Sequence, residues 1–166
     1  MSSELYIIVL GSVGWLLTVY FGFYRFRQYQ WARHKVQYDL FTKINQRSDT
    51  LFLRVTTLSG IKNRNEKLRA RRHGVLVKYT EHLNEKVFLM QQRIVSPKIG
   101  TFWIQSMLNE LRTLARQNEC FLAELRSLLD QDIRDRHSLY PLLDVVESDS
   151  EISTPTVELL YTQLTQ

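Results

Sequence analysis

Ile61 to Gly74 reads IKNRNEKLRARRHG, in which Lys62, Arg64, Lys67, Arg69, Arg71 and Arg72 stand against one acid, Glu66. Cations at this density can hold phosphate, either along RNA or DNA or on anionic lipid headgroups. The same run also fits a solvated helix start, or the partner of an acidic segment within the chain. Such a segment exists. No Lys or Arg follows Arg136, where Asp144, Glu147, Asp149, Glu151 and Glu158 stand, so the formal net charge of +5 leaves about +10 on the rest of the chain.

Other chemistry is thinly represented. His34, His73, His82 and His137 have no spacing that suggests a metal site. No Ser/His/Asp or Cys/His arrangement and no Gly-rich phosphate loop stands out. Cys120, on an expected helix, reads as a small buried apolar residue, and Glu81 with His82 as surface. A single cysteine excludes an intrachain disulfide and is consistent with a reducing cytosol. These observations assign no catalytic residue, cofactor, metal or small-molecule substrate, and an enzyme is not expected.

The elements that must position the cations begin with Leu5–Tyr24, 20 residues without a charge. At about 1.5 Å per residue a helix of that length matches the ~30 Å apolar core of a bilayer. The start, MSSE, has no basic residue, and no A-x-A cleavage pattern follows, so an uncleaved transmembrane helix is expected rather than an export signal. Arg25, Arg27, Arg33 and Lys35 follow the run, which puts residues 1–4 outside and the C-terminus in the cytoplasm of a bacterial inner membrane. Gly11, Gly14, Thr18 and Gly22 recur in steps of three, four and four. That stripe is either the ordinary glycine content of a membrane helix or a homo-oligomer interface within the bilayer.

Beyond the span, neither Gly nor Pro interrupts the chain between Gly22 and Gly60, and Val36, Leu40, Ile44, Leu51, Val55 and Leu58 keep helical spacing. A stalk over 25–58 is therefore expected. It would hold the basic run about 50 Å from the membrane if straight, beyond a surface potential screened within about 10 Å. A helical hairpin or bundle follows over 62–136, with a second helix over 64–93 whose apolar seam is Leu76, Leu83, Val87, Met90 and Ile94. Ser96 and Pro97 then suit a helix start, and so short a link implies antiparallel neighbours. Ile104, Leu108, Leu111, Ala115, Asn118, Leu122, Leu125 and Leu129 alternate steps of four and three as a helix-packing seam. Asn118 either sets register within that seam or marks a break that separates two helices. Residues 137–166 read as an acidic, partly disordered tail, in which VELLYTQL could form a short helix docking on another copy. The expected fold class is all-α: an N-terminal transmembrane helix continuing into a cytosolic antiparallel bundle of three or four long helices.

The stretch YTEHLNEKVFLMQQRIVSPKIGTFWIQSML, an amphipathic helix turning briefly into one that opens with an aromatic, resembles bacterial single-pass proteins of a broad family of unknown function. In plan the chain is similar to the accessory membrane protein of type VI-B CRISPR systems. That resemblance covers the architecture and residues 75–108. It implies a ring of protomers around a pore and a domain akin to the HEPN ribonucleases. Their signature needs Arg and His with four to six residues between them, and only Arg27 and His34, with six between, satisfy it. They fall in the stalk, so no catalytic residue is carried over. The expected function is homo-oligomerisation and protein contact at the bilayer, as a pore-forming effector of antiviral defence. The alternative is a tethered adaptor or nucleic-acid binder that meets RNA or a nucleoprotein through residues 62–72.

Overall fold

A computed structural model describes residues 3–59, 66–131, 139–148 and 151–165, with side chains for 14–58, 67–130, 139–148 and 151–165. Among these residues the chain is all-α, with six helices and no strand: α1 (Ser3–Ser59), α2 (Glu66–Gln91), α3 (Pro97–Gln117), α4 (Phe121–Gln131), α5 (Tyr140–Glu147) and α6 (Thr154–Leu164). Two compact units divide it, Met1–Leu40 and Phe41–Gln166.

The first unit is the N-terminal part of α1, and its described side chains are almost all exposed. Among the described residues no helix is long and apolar enough to cross a membrane. This overturns the expected single-pass protein of the inner membrane with its N-terminus outside. Within the expected span 5–24, the side chains of residues 5–13 lie outside the described residues. Over the described side chains the uncharged stretch is Gly14–Tyr24, and Arg25, Arg27, Arg33 and Lys35 follow it.

The second unit is built on α3, whose Trp103, Ile104, Met107, Leu108, Leu111 and Leu114 are buried. Their steps of one and three residues trace a broad apolar face of a 3.6-residue helix, so α3 is covered on several sides. The distal part of α1 lays Ile44, Ser48, Leu51 and Val55 inward, so residues 41–58, expected in a stalk, belong to this packed unit. From α2 come Leu76, Tyr79, Leu83, Val87 and Met90, and from α4 Phe121, Leu125 and Leu129. Each such side chain contributes about 1.5–3 kcal/mol by leaving water.

The link from α2 to α3 is a tight helix end. The Ile94 N–H donates to the Leu89 carbonyl at 3.1 Å and that of Arg93 to Met90 at 3.0 Å, a pairing that requires a left-handed residue between. Arg93 supplies it, at φ 53. Ile94, the last of the expected seam, lies in this link and is 43% exposed.

Residues 139–148 and 151–165, expected in a partly disordered acidic tail with a short helix at VELLYTQL, form α5 and α6. Leu139, Leu142, Leu143, Val146, Val157, Leu160 and Leu164 are buried, and α5 and α6 both pack on α3 of the same chain. The acids are on the outside: Asp144 and Glu147 both accept from Arg126 of α4, at 2.8 and 2.7 Å. Ser153 caps α6 by accepting from the Thr156 N–H. Where α6 meets α3, Gly100 is buried, and a β-carbon on it would overlap the ring of Tyr161.

Candidate functional site

The least expected feature lies where α1, α2 and α3 meet. Lys86 of α2 is fully buried, so its ammonium needs oxygen partners from the protein. Its Nζ donates to Ser48 Oγ of α1 at 2.8 Å, and Ser48 donates to Glu110 Oε1 of α3 at 3.2 Å. Glu110 also accepts from Tyr79 at 3.0 Å and from Ser106 at 3.0 Å. Alongside, Trp103 Nε1 donates to Asn45 Oδ1 at 3.0 Å. Three helices are thus tied by directional bonds, and a slip of any one would leave a buried polar group unpaired.

One turn before Lys86, His82 is also fully buried. Its Nδ1 is 3.4 Å from Glu85, which accepts from Arg47 at 2.9 Å, while Nε2 has no partner among the described residues. Burial, then the Lys86 charge, push the imidazole below its ordinary pKa, and Glu85 opposes them. Burial likewise lowers Lys86 against the pull of Glu110 and Asp49. Tyr79 is held well above its ordinary value, by burial and then by the charge of Glu110.

Ser48 and Lys86 have the residue types of a hydroxyl nucleophile and its amine base. Ser48, however, is only 3% exposed and Lys86 not at all, so a substrate carbonyl has no route to the hydroxyl. Among the described residues, what these bonds do is fix the register of α1 against α2.

That register builds a surface groove of about 450 Å³. Lys43, Arg47, Thr50 and Arg54 follow at steps of four, three and four along α1, and Lys78 lines the groove from α2, with Gln46 and Leu51 completing it. No acid is among the lining residues. The Thr50 hydroxyl donates to the Gln46 carbonyl at 2.9 Å, leaving the cations and the Gln46 amide as the donors for a ligand.

The basic run read from sequence is divided. Lys62 and Arg64 lie outside the described residues. Lys67, Arg69 and Arg71 are exposed on α2, while Arg72 is largely covered and donates to Glu124 of α4 at 2.6 Å. Arg69, Arg72 and His73 line a cleft of about 570 Å³ with Cys120, Ala123 and Glu124. Cys120 is exposed there. The expected buried cysteine is corrected because the residue lies in the turn between α3 and α4, not on a packed face. Glu81 is exposed as expected, but His82 is interior.

Gly14, Thr18 and Gly22 lie on exposed helix, and a β-carbon on either glycine would meet nothing within 4 Å. Thr18 donates to the Gly14 carbonyl at 2.9 Å. Gly11 is helical, but its surroundings lie outside the described side chains. In the seam, Ile104, Leu108, Leu111, Leu125 and Leu129 are buried, and Ala115, Asn118 and Leu122 half-buried. Asn118 ends α3 at φ −150 and ψ 106, and its Oδ1 accepts from the Cys120 N–H at 3.2 Å. Of the two readings of Asn118, the structure shows the break, and the seam is divided between α3 and α4. The turn shifts the phase, so Phe121 rather than Leu122 takes the next core position.

Comparison of the chain with known families, curated proteins and solved structures finds no match.

Proposed function

We propose that this protein is an assembly module: several copies associate through the first unit, and each contributes a packed helical domain. The observation that carries the reading is the apolar surface of α1 before Leu40. Trp15, Leu16, Val19, Phe23, Phe26 and Trp31 are each 50–68% exposed. At about 1.5 Å per residue, Trp15 to Trp31 is about 24 Å of helix rich in large apolar side chains. Isolated soluble chains rarely leave so large an apolar patch open to water.

The distribution of these residues supports more than a dimer. At 100° per residue, Leu16, Leu17, Val19, Tyr20, Phe21, Phe23, Tyr24 and Phe26 cover well over half of the helix circumference. One flanking helix covers a narrower stripe, so a bundle of several fits better. Gly14, Thr18 and Gly22 occupy the remaining side with Arg25. There, small side chains permit close backbone approach.

Sedimentation of the full chain in buffer tests the reading. A single species at a fixed multiple of 19.7 kDa is expected, and Leu16→Glu with Phe23→Glu should return it to the protomer mass. A monomer at tens of micromolar, a continuous spread of masses, or an oligomer indifferent to the double substitution would each overturn it.

A further inference from the structure

We infer that the groove between the distal part of α1 and α2 binds the phosphate backbone of a nucleic acid without reading its sequence. Lys43, Arg47, Arg54 and Lys78 line it with no acid among them. Among the described residues no ion pair holds Lys43, Arg54 or Lys78. The remaining cation, Arg47, shares Glu85 at side-chain exposures of 52% and 39%, and an ion pair that open to solvent costs little to exchange for a phosphate.

Part of the competing occupant inside the chain is already engaged. Asp144 and Glu147 are held by Arg126 of α4, so these two acids do not serve the groove. Spacing favours a long ligand over a single ion. Lys43 and Arg54 are eleven residues apart on one helix, about 16 Å, and Arg71 lies seven residues before Lys78, exposed on the same side of α2. A duplex carries one charge per about 1.7 Å of its axis, so a groove of this length reaches several phosphates at once.

The lining also says how the ligand is read. It contains no aromatic side chain on which a base could stack. Lys and Arg at a phosphate fix position and carry no sequence information. Beneath them, the Lys86–Ser48–Glu110 bonds hold α1 against α2 and α3, so the cations are presented on a rigid frame.

Fluorescence anisotropy of the full chain tests the inference, with labelled DNA and RNA duplexes of about 20 base pairs and unrelated sequences, titrated between about 50 and 200 mM salt. Affinity should vary less than about threefold among sequences and fall with a log–log salt slope of about −3 to −4, from three or four phosphate contacts. Lys43→Glu, Arg54→Glu and Lys78→Glu combined should weaken binding more than about thirtyfold and flatten the slope. Charge reversal at Lys98 and Arg116, which are exposed on α3 outside the groove, should change it less than about twofold. Circular dichroism of each variant reports folding separately. Three results would overturn the inference: no binding at the lowest salt, equal losses from the Lys98 and Arg116 reversals, or competition by polyglutamate as strong as by the unlabelled duplex.

Discussion

The ammonium of Lys86 donates to the hydroxyl of Ser48 across 2.8 Å, and both side chains are buried. This one bond joins α2 to α1 and, through Glu110, to α3. Deleting the acceptor leaves a buried charge short of a partner, which costs more than deleting a neutral bond. Ser48→Ala should therefore destabilise the second unit by about 1–3 kcal/mol, and Ser106→Ala, on a half-buried hydroxyl, by about 1 kcal/mol or less. Replacing the charge removes the reason for the penalty. Ser48→Ala combined with Lys86→Met should be less destabilised than the sum of the two singles by about 1 kcal/mol or more. Denaturant unfolding of the four proteins checks this, and strictly additive losses would contradict the coupling.

His82 gives stability a pH dependence of known sign. Burial and the Lys86 charge lower its pKa in the folded state, so the unfolded chain binds its proton more readily. Its contribution is fully present above the ordinary value of about 6.5 and is lost as pH falls through the lowered folded value. The thermal midpoint should thus drop between about pH 7.5 and 5. His82→Gln, which cannot take the proton, should reduce that drop, whatever its effect on the midpoint at pH 7.5. An identical pH profile for the variant would remove His82 as the cause.

Helical periodicity and the scarcity of Gly and Pro between Gly22 and Gly60 made the all-α class legible in the sequence. The interior of α2 was readable only in part. Leu76, Tyr79, Leu83, Lys86 and Met90 step by three and four, so the buried face runs through a phenol and an ammonium. Lysine is so seldom fully buried that periodicity alone assigns it to solvent. The groove was hidden for another reason: Lys43, Arg47 and Arg54 meet Lys78 only once two helices are packed. In the segment after Arg136 the acids mask an apolar face, for Leu142, Leu143 and Val146 occupy one side of α5 and Asp144 and Glu147 another. At the N-terminus, an unbroken apolar run suggested a span that the described helix does not make.

Asn118 separates two readings of the same eight-residue seam. In a continuous helix, Asn118→Leu would complete an apolar stripe and stabilise it. In the structure the residue is extended, and its Oδ1 accepts from the Cys120 N–H at 3.2 Å to hold the turn. Leucine removes that acceptor, so Asn118→Leu should cost about 0.5–2 kcal/mol, as the loss of a helix-end bond does. Hydrogen exchange at Cys120 should accelerate in the variant. Increased stability would restore the continuous helix.

Gly100 marks the closest approach of α6 to α3. A β-carbon there would overlap the Tyr161 ring and lie 3.2 Å from Met90 Sδ. The ring is anchored on α6, whose Val157, Leu160 and Leu164 are buried, so it cannot withdraw without moving the helix. Gly100→Ala would ordinarily stabilise a helix interior by about 0.5–1 kcal/mol. Here overpacking should win, with a net loss of about 1–3 kcal/mol. On a Tyr161→Ala background the clash is gone and the alanine's helix preference remains, so the same substitution should become neutral or stabilising. Unfolding free energies of the two singles and the double variant decide it, and an equal cost on both backgrounds would place the strain elsewhere than at the Tyr161 ring.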